Sequence, residues 1–481
     1  MLATALDAVL DRHIEAAAPA DLALWTLRGL EVLEPLLHAE LRSGTLLLSG
    51  PGPQRLLAAR PVPAPPPPGA PPEEVAPPLG LALAALFEAA WRASPLLRRA
   101  GHEAMLRSAF EELFNHLDPY SRYLTPAEAR AARERRVGQS GLGLRLGAGR
   151  GRAEVLVVAV TPGGPADEAG LRVGDRVLAV DGVPVSARDL GLAAALLEGP
   201  ADTIVALRLR RAGGGRAFEL ALHRRLLTPA PVTAEEREGG ILRLRVEGFS
   251  GATGQGLAAA LAEHIRPGVT RGVVLDLRGN RGGLLTQAVA VAGAFLADGV
   301  VARTAGRHPD AARLWEAGGP DLAAGLPVVV LVDGRSASAA EIVAAALSDR
   351  GRAVVVGSAT QGKGLIQAVM SLPNGGELLV TWARVLAPGG WPIQDLGVLP
   401  ALCTGLGAEA VAAGLARLHR GDPPPMAAAL ARLRAARAPV PASEVAALRE
   451  TCPPAEGREA DLAAARALIE APEAYAAALA R

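Results

Sequence analysis

Lysine is almost missing from this chain. Of 50 basic side chains only Lys363 is a lysine, and the other 49 are arginine. A position that keeps the one lysine in such a background suggests a need for an amine that a guanidinium cannot replace, because arginine does not deprotonate in proteins. Net charge is missing too: 50 basic against 49 acidic groups leave +1, so no global field draws the chain to nucleic acid or to an acidic membrane. Two cysteines, Cys403 and Cys452, exclude a cysteine-rich zinc site and leave open either one disulfide or two free thiols. The eight histidines are scattered, with no pair three or four residues apart, so neither a metal nor another cofactor is expected. The richest apolar stretch, Leu79 to Trp91, is short and interrupted by Glu88, which falls below the roughly 20 apolar residues of a spanning helix.

What is present is enough apolar sequence for two or three folded units, since half of the 481 residues are hydrophobic. From Leu2 to Arg42, leucines recur at three- and four-residue spacing, which predicts an N-terminal helical region over residues 1–60, broken near Pro35. Ten prolines in residues 61–78 predict an extended linker. Residues 79–136 again predict helix, broken at Pro95 and at the turn-like segment Leu117-Asp118-Pro119-Tyr120-Ser121-Arg122-Tyr123-Leu124. Across 137–227 short β-branched and leucine runs between glycines and prolines predict a small β-rich domain. In 228–402 strands alternate with helical stretches, which predicts βαβ units and a largely parallel sheet. Residues 403–481 are Ala-, Arg- and Leu-rich and predict a helical extension.

Three places carry chemistry. The strand Pro327 to Val332 runs through Asp333-Gly334-Arg335-Ser336-Ala337-Ser338-Ala339-Ala340-Glu341 into a helix, so Ser338 would stand at the positive end of a helix dipole, where a developing oxyanion is stabilised. Ser338 and Glu341 also satisfy a capping box, a purely structural alternative. The next strand delivers Lys363 within Gly362-Lys363-Gly364-Leu365-Ile366-Gln367. A serine hydroxyl needs a base, and lysine serves if burial lowers its pKa by about three units, or roughly 4 kcal/mol. Third, Asp276-Leu277-Arg278-Gly279-Asn280-Arg281-Gly282-Gly283 ends a strand in a glycine pair whose backbone N–H groups suit an oxyanion hole together with that of Ala339.

Together these residues resemble the carboxy-terminal processing (tail-specific) serine proteases over about residues 117–400. The likeness includes the Leu117 to Leu124 segment, Asp276 to Gly283, Ser336 to Glu341 and Gly362 to Gln367, with Ser338 and Lys363 25 residues apart as nucleophile and base are in that family. The chain departs from it at Ala340 and Arg281. The resemblance implies a multidomain α/β fold: a crotonase-like α/β protease core with an inserted PDZ domain and helical N- and C-terminal regions. It implies Ser338 as nucleophile, Lys363 as general base, Gln367 orienting the lysine, and Gly282 and Ala339 as oxyanion donors. The PDZ loop Gly141-Leu142-Gly143-Leu144 would hold the free, apolar C-terminus of a protein substrate, with strand addition beside it. An adaptor protein, a homodimer built on the helical ends and export to a bacterial periplasm or cell envelope also follow from the likeness, although Met1 to Leu30 shows no signal-peptide pattern.

Two rival readings remain: a PDZ peptide-binding scaffold whose protease domain is inactive, and a nucleotide site. Gly357-x-x-x-x-Gly362-Lys363 meets most of the P-loop pattern, but Gly364 replaces the metal-binding hydroxyl, and the sequence after it predicts a strand and hairpin instead of a helix.

Overall fold

A computed structural model describes residues 1–50, 56–62, 76–137, 139–149, 154–161, 163–227 and 232–479. They form two compact units: residues 1–132 with 232–249 and 253–481, and residues 133–231 with 250–252.

The larger unit is organised by a six-stranded sheet. Ile241–Val246, Gly272–Asp276, Val328–Val332, Val354–Gly357 and Leu402–Cys403 run parallel, and Val232–Arg237 pairs antiparallel with the first of them. Every residue of Gly272–Asp276, Val328–Val332 and Val354–Gly357 is buried. Side chains alternate faces along a strand, so continuous burial means that both faces are covered, as parallel sheets require. The helices Thr253–His264, Leu285–Gly293 and Ala339–Asp349 share this core with leucines of the tail helices, including Leu418, Leu430, Leu448 and Leu468.

The parallel sheet expected for 228–402 is only half of that region. A second, antiparallel sheet orders Arg313–Gly318, Asp298–Ala305, Glu377–Leu386 and Leu365–Ser371, and Arg122–Leu124 pairs with Glu377–Leu386. Leu365–Ser371 follows Lys363 directly as a strand, so the helix that a P-loop needs after its lysine is absent and the nucleotide reading falls.

The N-terminal stripe also divides differently from expectation. Helix Leu2–Arg12 is followed by Pro19–Leu33, which ends just before Pro35, and His38–Arg42, Thr45–Ser49 and Leu56–Pro61 then form an antiparallel three-stranded sheet instead of more helix. Ser43 and Gly44, both at positive φ, make the tight turn between the first two strands. Of the expected linker, Pro61 ends the third strand, residues 63–75 lie outside the described residues, and helix Ala76–Ala93 begins before the linker's predicted end. Among the described residues no helix is long and apolar enough to cross a membrane.

The smaller unit is a sheet ordered Phe218–His223, Ile204–Arg210, Arg176–Val180, Val155–Val160 and Leu144–Ala148, all antiparallel. Here burial alternates: along Ile204–Arg210, Val205, Leu207 and Leu209 are buried while the residues between them face solvent. Helix Leu190–Leu197, capped by the Asp189 carboxylate accepting from Leu192 N at 2.9 Å, packs by Ala193 and Leu197 on the inner face.

Candidate active site

Each group singled out in the core sits just past the end of a buried strand. Val328–Val332 leads into a turn built on Asp333, whose Oδ1 accepts from the amides of Gly279 (2.9 Å), Arg335 (3.0 Å) and Ser336 (3.0 Å). The Ser336 hydroxyl donates to Leu277 O at 2.8 Å and accepts from Asp333 N at 2.9 Å. This turn presents Ser338 with φ 56 and ψ −113, a left-handed conformation that a serine adopts only where the surroundings compel it.

Helix Ala339–Asp349 starts at once behind it. Ala339 is its first residue, and a first-turn amide has no partner within its own helix. The two halves of the capping box are unequal. Glu341 Oε2 accepts from Ser338 N at 2.7 Å, while the Ser338 hydroxyl comes near the Glu341 amide without making a capping hydrogen bond.

Glu341 does much more than cap. Its side chain is completely buried; Oε2 also accepts from Lys363 N at 2.9 Å, and Oε1 accepts from Thr360 Oγ1 at 2.5 Å and Gly362 N at 2.7 Å. One carboxylate oxygen thus lies within 3 Å of both the Ser338 and the Lys363 amides. Burial pushes the Glu341 carboxyl above its usual range, against the pull of these four donors. Gly362 sits at φ +86, and a Cβ at Gly364 would meet Gln394 N at 2.2 Å, so the loop around Lys363 needs its glycines.

The Lys363 side chain is partly buried and its Nζ lies 5.2 Å from the centroid of the Tyr120 ring. Burial first, and then the nearby Arg122 cation, push its amine below the ordinary lysine value, while the Glu341 carboxylate pulls the other way. The Leu117 to Leu124 segment therefore supplies both Tyr120 and Arg122 to the lysine. Gln367 lies on the strand after Lys363, next to a β-bulge, opposite Thr381. Its Nε2 donates to Thr381 Oγ1 at 3.2 Å and points at Leu365 O at 3.4 Å.

The glycine loop stands where expected, but one of its two expected donors does not serve as assigned. Gly282 has φ +94, and a Cβ there would lie 2.8 Å from Ser338 Cβ and 3.0 Å from Ala339 N, so its backbone passes directly against the serine. Its own N–H, however, donates to Asn280 Oδ1 at 2.8 Å and is engaged within the loop. Asn280, fully buried, also donates from Nδ2 to Val246 O at 2.8 Å, and its carbonyl accepts from Ala337 N at 2.9 Å. Thus Asn280 fastens the glycine loop to the turn that carries Ser338.

Asp276 and Arg278 are structural. Arg278 donates to both oxygens of Asp276 (2.8 and 2.7 Å) and to Asp461 Oδ2 (3.0 Å), which ties the loop to the tail helix Glu459–Glu470. The turn that carries Ser338 has the same support: Gly334 N donates to Ala455 O at 2.8 Å and Gly457 N to Asp333 Oδ2 at 3.1 Å. Just before this stretch Cys452 is joined to Cys403 by a disulfide.

In the smaller unit, Leu144 opens the edge strand Leu144–Ala148, which among the described residues pairs only with Val155–Val160. Gly143 adopts φ +73, its carbonyl accepting from Thr161 N at 2.7 Å and that of Leu142 from Ala166 N at 2.9 Å. Leu142 is not free to line a ligand pocket, because it is buried in the unit's own core with Ala166 and Leu171. Gly141 is partly exposed at the end of a short strand paired with Arg225–Leu227. The open edge and helix Leu190–Leu197, with Leu144, Leu146 and Leu190 half-buried, leave an apolar strip suited to an added strand.

No group of three or more His, Cys, Asp or Glu side chains among the described residues is arranged to hold a metal ion. Of the residues described above, Glu341, Asn280 and Thr381 have roles here that sequence reasoning did not assign. Glu341 left a signal as the last residue of an S-x-x-E box and Asn280 as part of the glycine-loop motif, and Thr381 left none.

Comparison with known proteins gives two family matches: Peptidase family S41 over residues 240–402 and a PDZ domain over residues 156–211. A carboxy-terminal-processing protease of Bartonella bacilliformis is 34% identical over 301 residues, covering 62% of this chain and 69% of the relative. A carboxyl-terminal-processing protease of Synechocystis sp. is 36% identical over 299 residues, covering 61% of this chain and 69% of the relative. Among solved structures, a photosystem II D1 C-terminal processing protease is 32% identical and covers 66% of this chain and 86% of its own, with a TM-score of 0.38, too low to carry weight.

Proposed function

Because the chain belongs to the carboxy-terminal-processing protease family, we propose that it hydrolyses peptide bonds with Ser338 as nucleophile and Lys363 as general base, on a crotonase-like core. The observation that carries this reading is the buried Glu341 carboxylate, which holds the Ser338 and Lys363 backbones to one oxygen atom.

Lys363 Nζ takes the Ser338 hydroxyl proton as Oγ bonds to the carbonyl carbon. The carbonyl oxygen becomes an oxyanion, met by the Ala339 amide at the positive end of its helix. The ammonium of Lys363 returns the proton to the leaving nitrogen as the C–N bond breaks, leaving an acyl-serine. Water then attacks the ester, giving its proton to Lys363, and Oγ departs with it. Gln367 orients the amine so that its lone pair faces the serine. The PDZ unit presents the substrate's free C-terminus, with Gly143 and Leu144 at the loop and the edge strand pairing with the peptide. The Cys403–Cys452 disulfide favours an oxidising compartment, in keeping with export.

The test is cleavage of an unfolded protein ending in a free apolar residue by wild type, Ser338→Ala and Lys363→Arg, with an amidated copy of the substrate alongside. Wild type should cut and both variants should fall to the blank while staying folded. Activity should rise with pH through a limb below about 10.4, the free lysine value, because only the neutral amine accepts a proton. Activity retained by Lys363→Arg sinks the dyad, an inert wild type favours the scaffold, and equal KM for acid and amide removes C-terminus recognition.

A further inference from the structure

The Leu117 to Leu124 segment contains one group that the chemistry above leaves unused. Asp118 is a half-buried carboxylate with five donors. Its Oδ1 accepts from Tyr120 N (2.8 Å), Ser121 N (2.9 Å) and Thr381 Oγ1 (2.8 Å), and its Oδ2 from the Ser121 hydroxyl and His13 Nε2, the latter at 3.0 Å. Burial alone would raise this carboxyl, but the hydrogen bonds from His13, Ser121, Thr381 and the Tyr120 backbone outweigh it and hold it well below the usual carboxylate range.

An ionised carboxylate only accepts, which sets a direction for everything beyond it. The Thr381 hydroxyl must spend its one proton on Asp118, so the oxygen it offers on its other side is an acceptor. The Gln367 atom facing that oxygen must then be nitrogen, and the second neighbour of that atom, Leu365 O, agrees. With Nε2 held there, Oε1 is the end of the amide left over. A neutral amine that gives one N–H to such an oxygen keeps its lone pair for the serine; an amide turned the other way would place an N–H on that lone pair. The same Asp118 also folds the turn that sets the Tyr120 ring over Lys363 Nζ.

We propose that Asp118 is a positioning residue for the Ser338/Lys363 chemistry, fixing through the Thr381 hydroxyl which end of the Gln367 amide is presented to Lys363; the proposal rests on the Ser/Lys reading above. Thr381 is fully buried, so no water competes for either of its bonds. The charged and titratable groups around Asp118 are His13, at the end of the first helix, and Glu15, Arg384 and Asp395, which share with it a cavity of about 310 Å³. Those around Lys363 are Tyr120, Arg122 and Glu341.

The experiment measures kcat and KM against pH for an internally quenched peptide ending in a free apolar residue. The full chain is used as wild type, Asp118→Ala, Thr381→Val and Thr381→Ser, with Ser338→Ala as the blank and near-UV circular dichroism to verify the fold. In Asp118→Ala the Thr381 hydroxyl loses its acceptor and can donate to Gln367 instead, reversing that hydrogen bond and turning the Gln367 amide. We expect kcat to fall about 100-fold with KM unchanged. We also expect the acidic limb to move to lower pH, because an N–H beside the amine disfavours its ammonium form. Thr381→Val should behave alike and Thr381→Ser should keep wild-type values. Loosened packing would instead wet Lys363 and move that limb upward. The proposal is overturned if kcat in both Asp118→Ala and Thr381→Val stays within about twofold of wild type, if the limb stays fixed or rises, or if Thr381→Ser is no better than Thr381→Val. Should Asp118→Ala misfold, Thr381→Val decides. Turnover by Ser338→Ala is a separate result: it removes the Ser/Lys reading and this proposal with it.

Discussion

The two units treat polar atoms in opposite ways. In the smaller one, strands alternate buried and exposed, and its polar side chains mostly face solvent; among the described residues only Asp175 and Arg224 are buried there. In the larger, the three central strands are buried throughout, and Asp276, Asn280, Asp333, Ser336, Glu341, Ser358 and Thr360 are buried where those strands end. A sheet covered on both faces can place chemistry only where its strands stop, and the polar groups there must satisfy one another without water. Such a site is rigid and intolerant. A sheet with one wet face can instead offer an edge and accept many peptides.

The strongest test of that contrast is Glu341→Gln. An amide NH2 would face backbone donors that now have an acceptor, so kcat should drop by at least about 100-fold and unfolding free energy by about 2–3 kcal/mol. Kinetics and urea melts measure both; a variant that behaves like wild type would mean that the carboxylate is not what joins the two loops.

Next comes the disulfide, which closes 49 residues of chain within the larger unit. Cys452→Ser, or wild type under reductant, should lose up to about 4 kcal/mol in denaturant unfolding. Because residues just beyond Cys452 brace the turn that carries Ser338, activity should fall at denaturant concentrations where the oxidised protein still works. Superimposable oxidised and reduced curves would show that the brace does not depend on the crosslink.

Smallest is a matched pair. Val330→Thr puts a hydroxyl into a fully buried central strand and should cost about 1–3 kcal/mol. Ile204→Thr, more than half exposed on the alternating sheet, should stay within about 0.5 kcal/mol. Equal thermal shifts would erase the distinction drawn between the sheets.

The sequence was readable where one residue does one job. The strand Val328–Val332 and the helix that begins at Ala339 lie where the sequence places them, because burial pattern and flanking glycines or serines act locally. Ser338 and Lys363 stood out as a serine before a helix and a solitary lysine. What stayed hidden depends on partners far along the chain. The Cys403–Cys452 pairing joins segments 49 residues apart, Thr381 is an ordinary strand residue until it lies between Asp118 and Gln367, and the Gly282 N–H is withdrawn by a neighbouring asparagine whose rotamer no pattern reports. The helix expected to run on to Arg42 gives way to a hairpin because Ser43 and Gly44, both at positive φ, close a tight turn between two strands.

The brace from residues 455–461 also bears on when a newly made copy becomes active. Gly334, Asp333 and Arg278 receive their partners Ala455, Gly457 and Asp461 from chain that is synthesised more than a hundred residues later. Folding proceeds from the N-terminus while synthesis continues. A nascent chain therefore carries both its serine and its lysine well before the turn that holds the serine is fastened. The turn that carries Ser338 is therefore braced only after the smaller unit has already been synthesised.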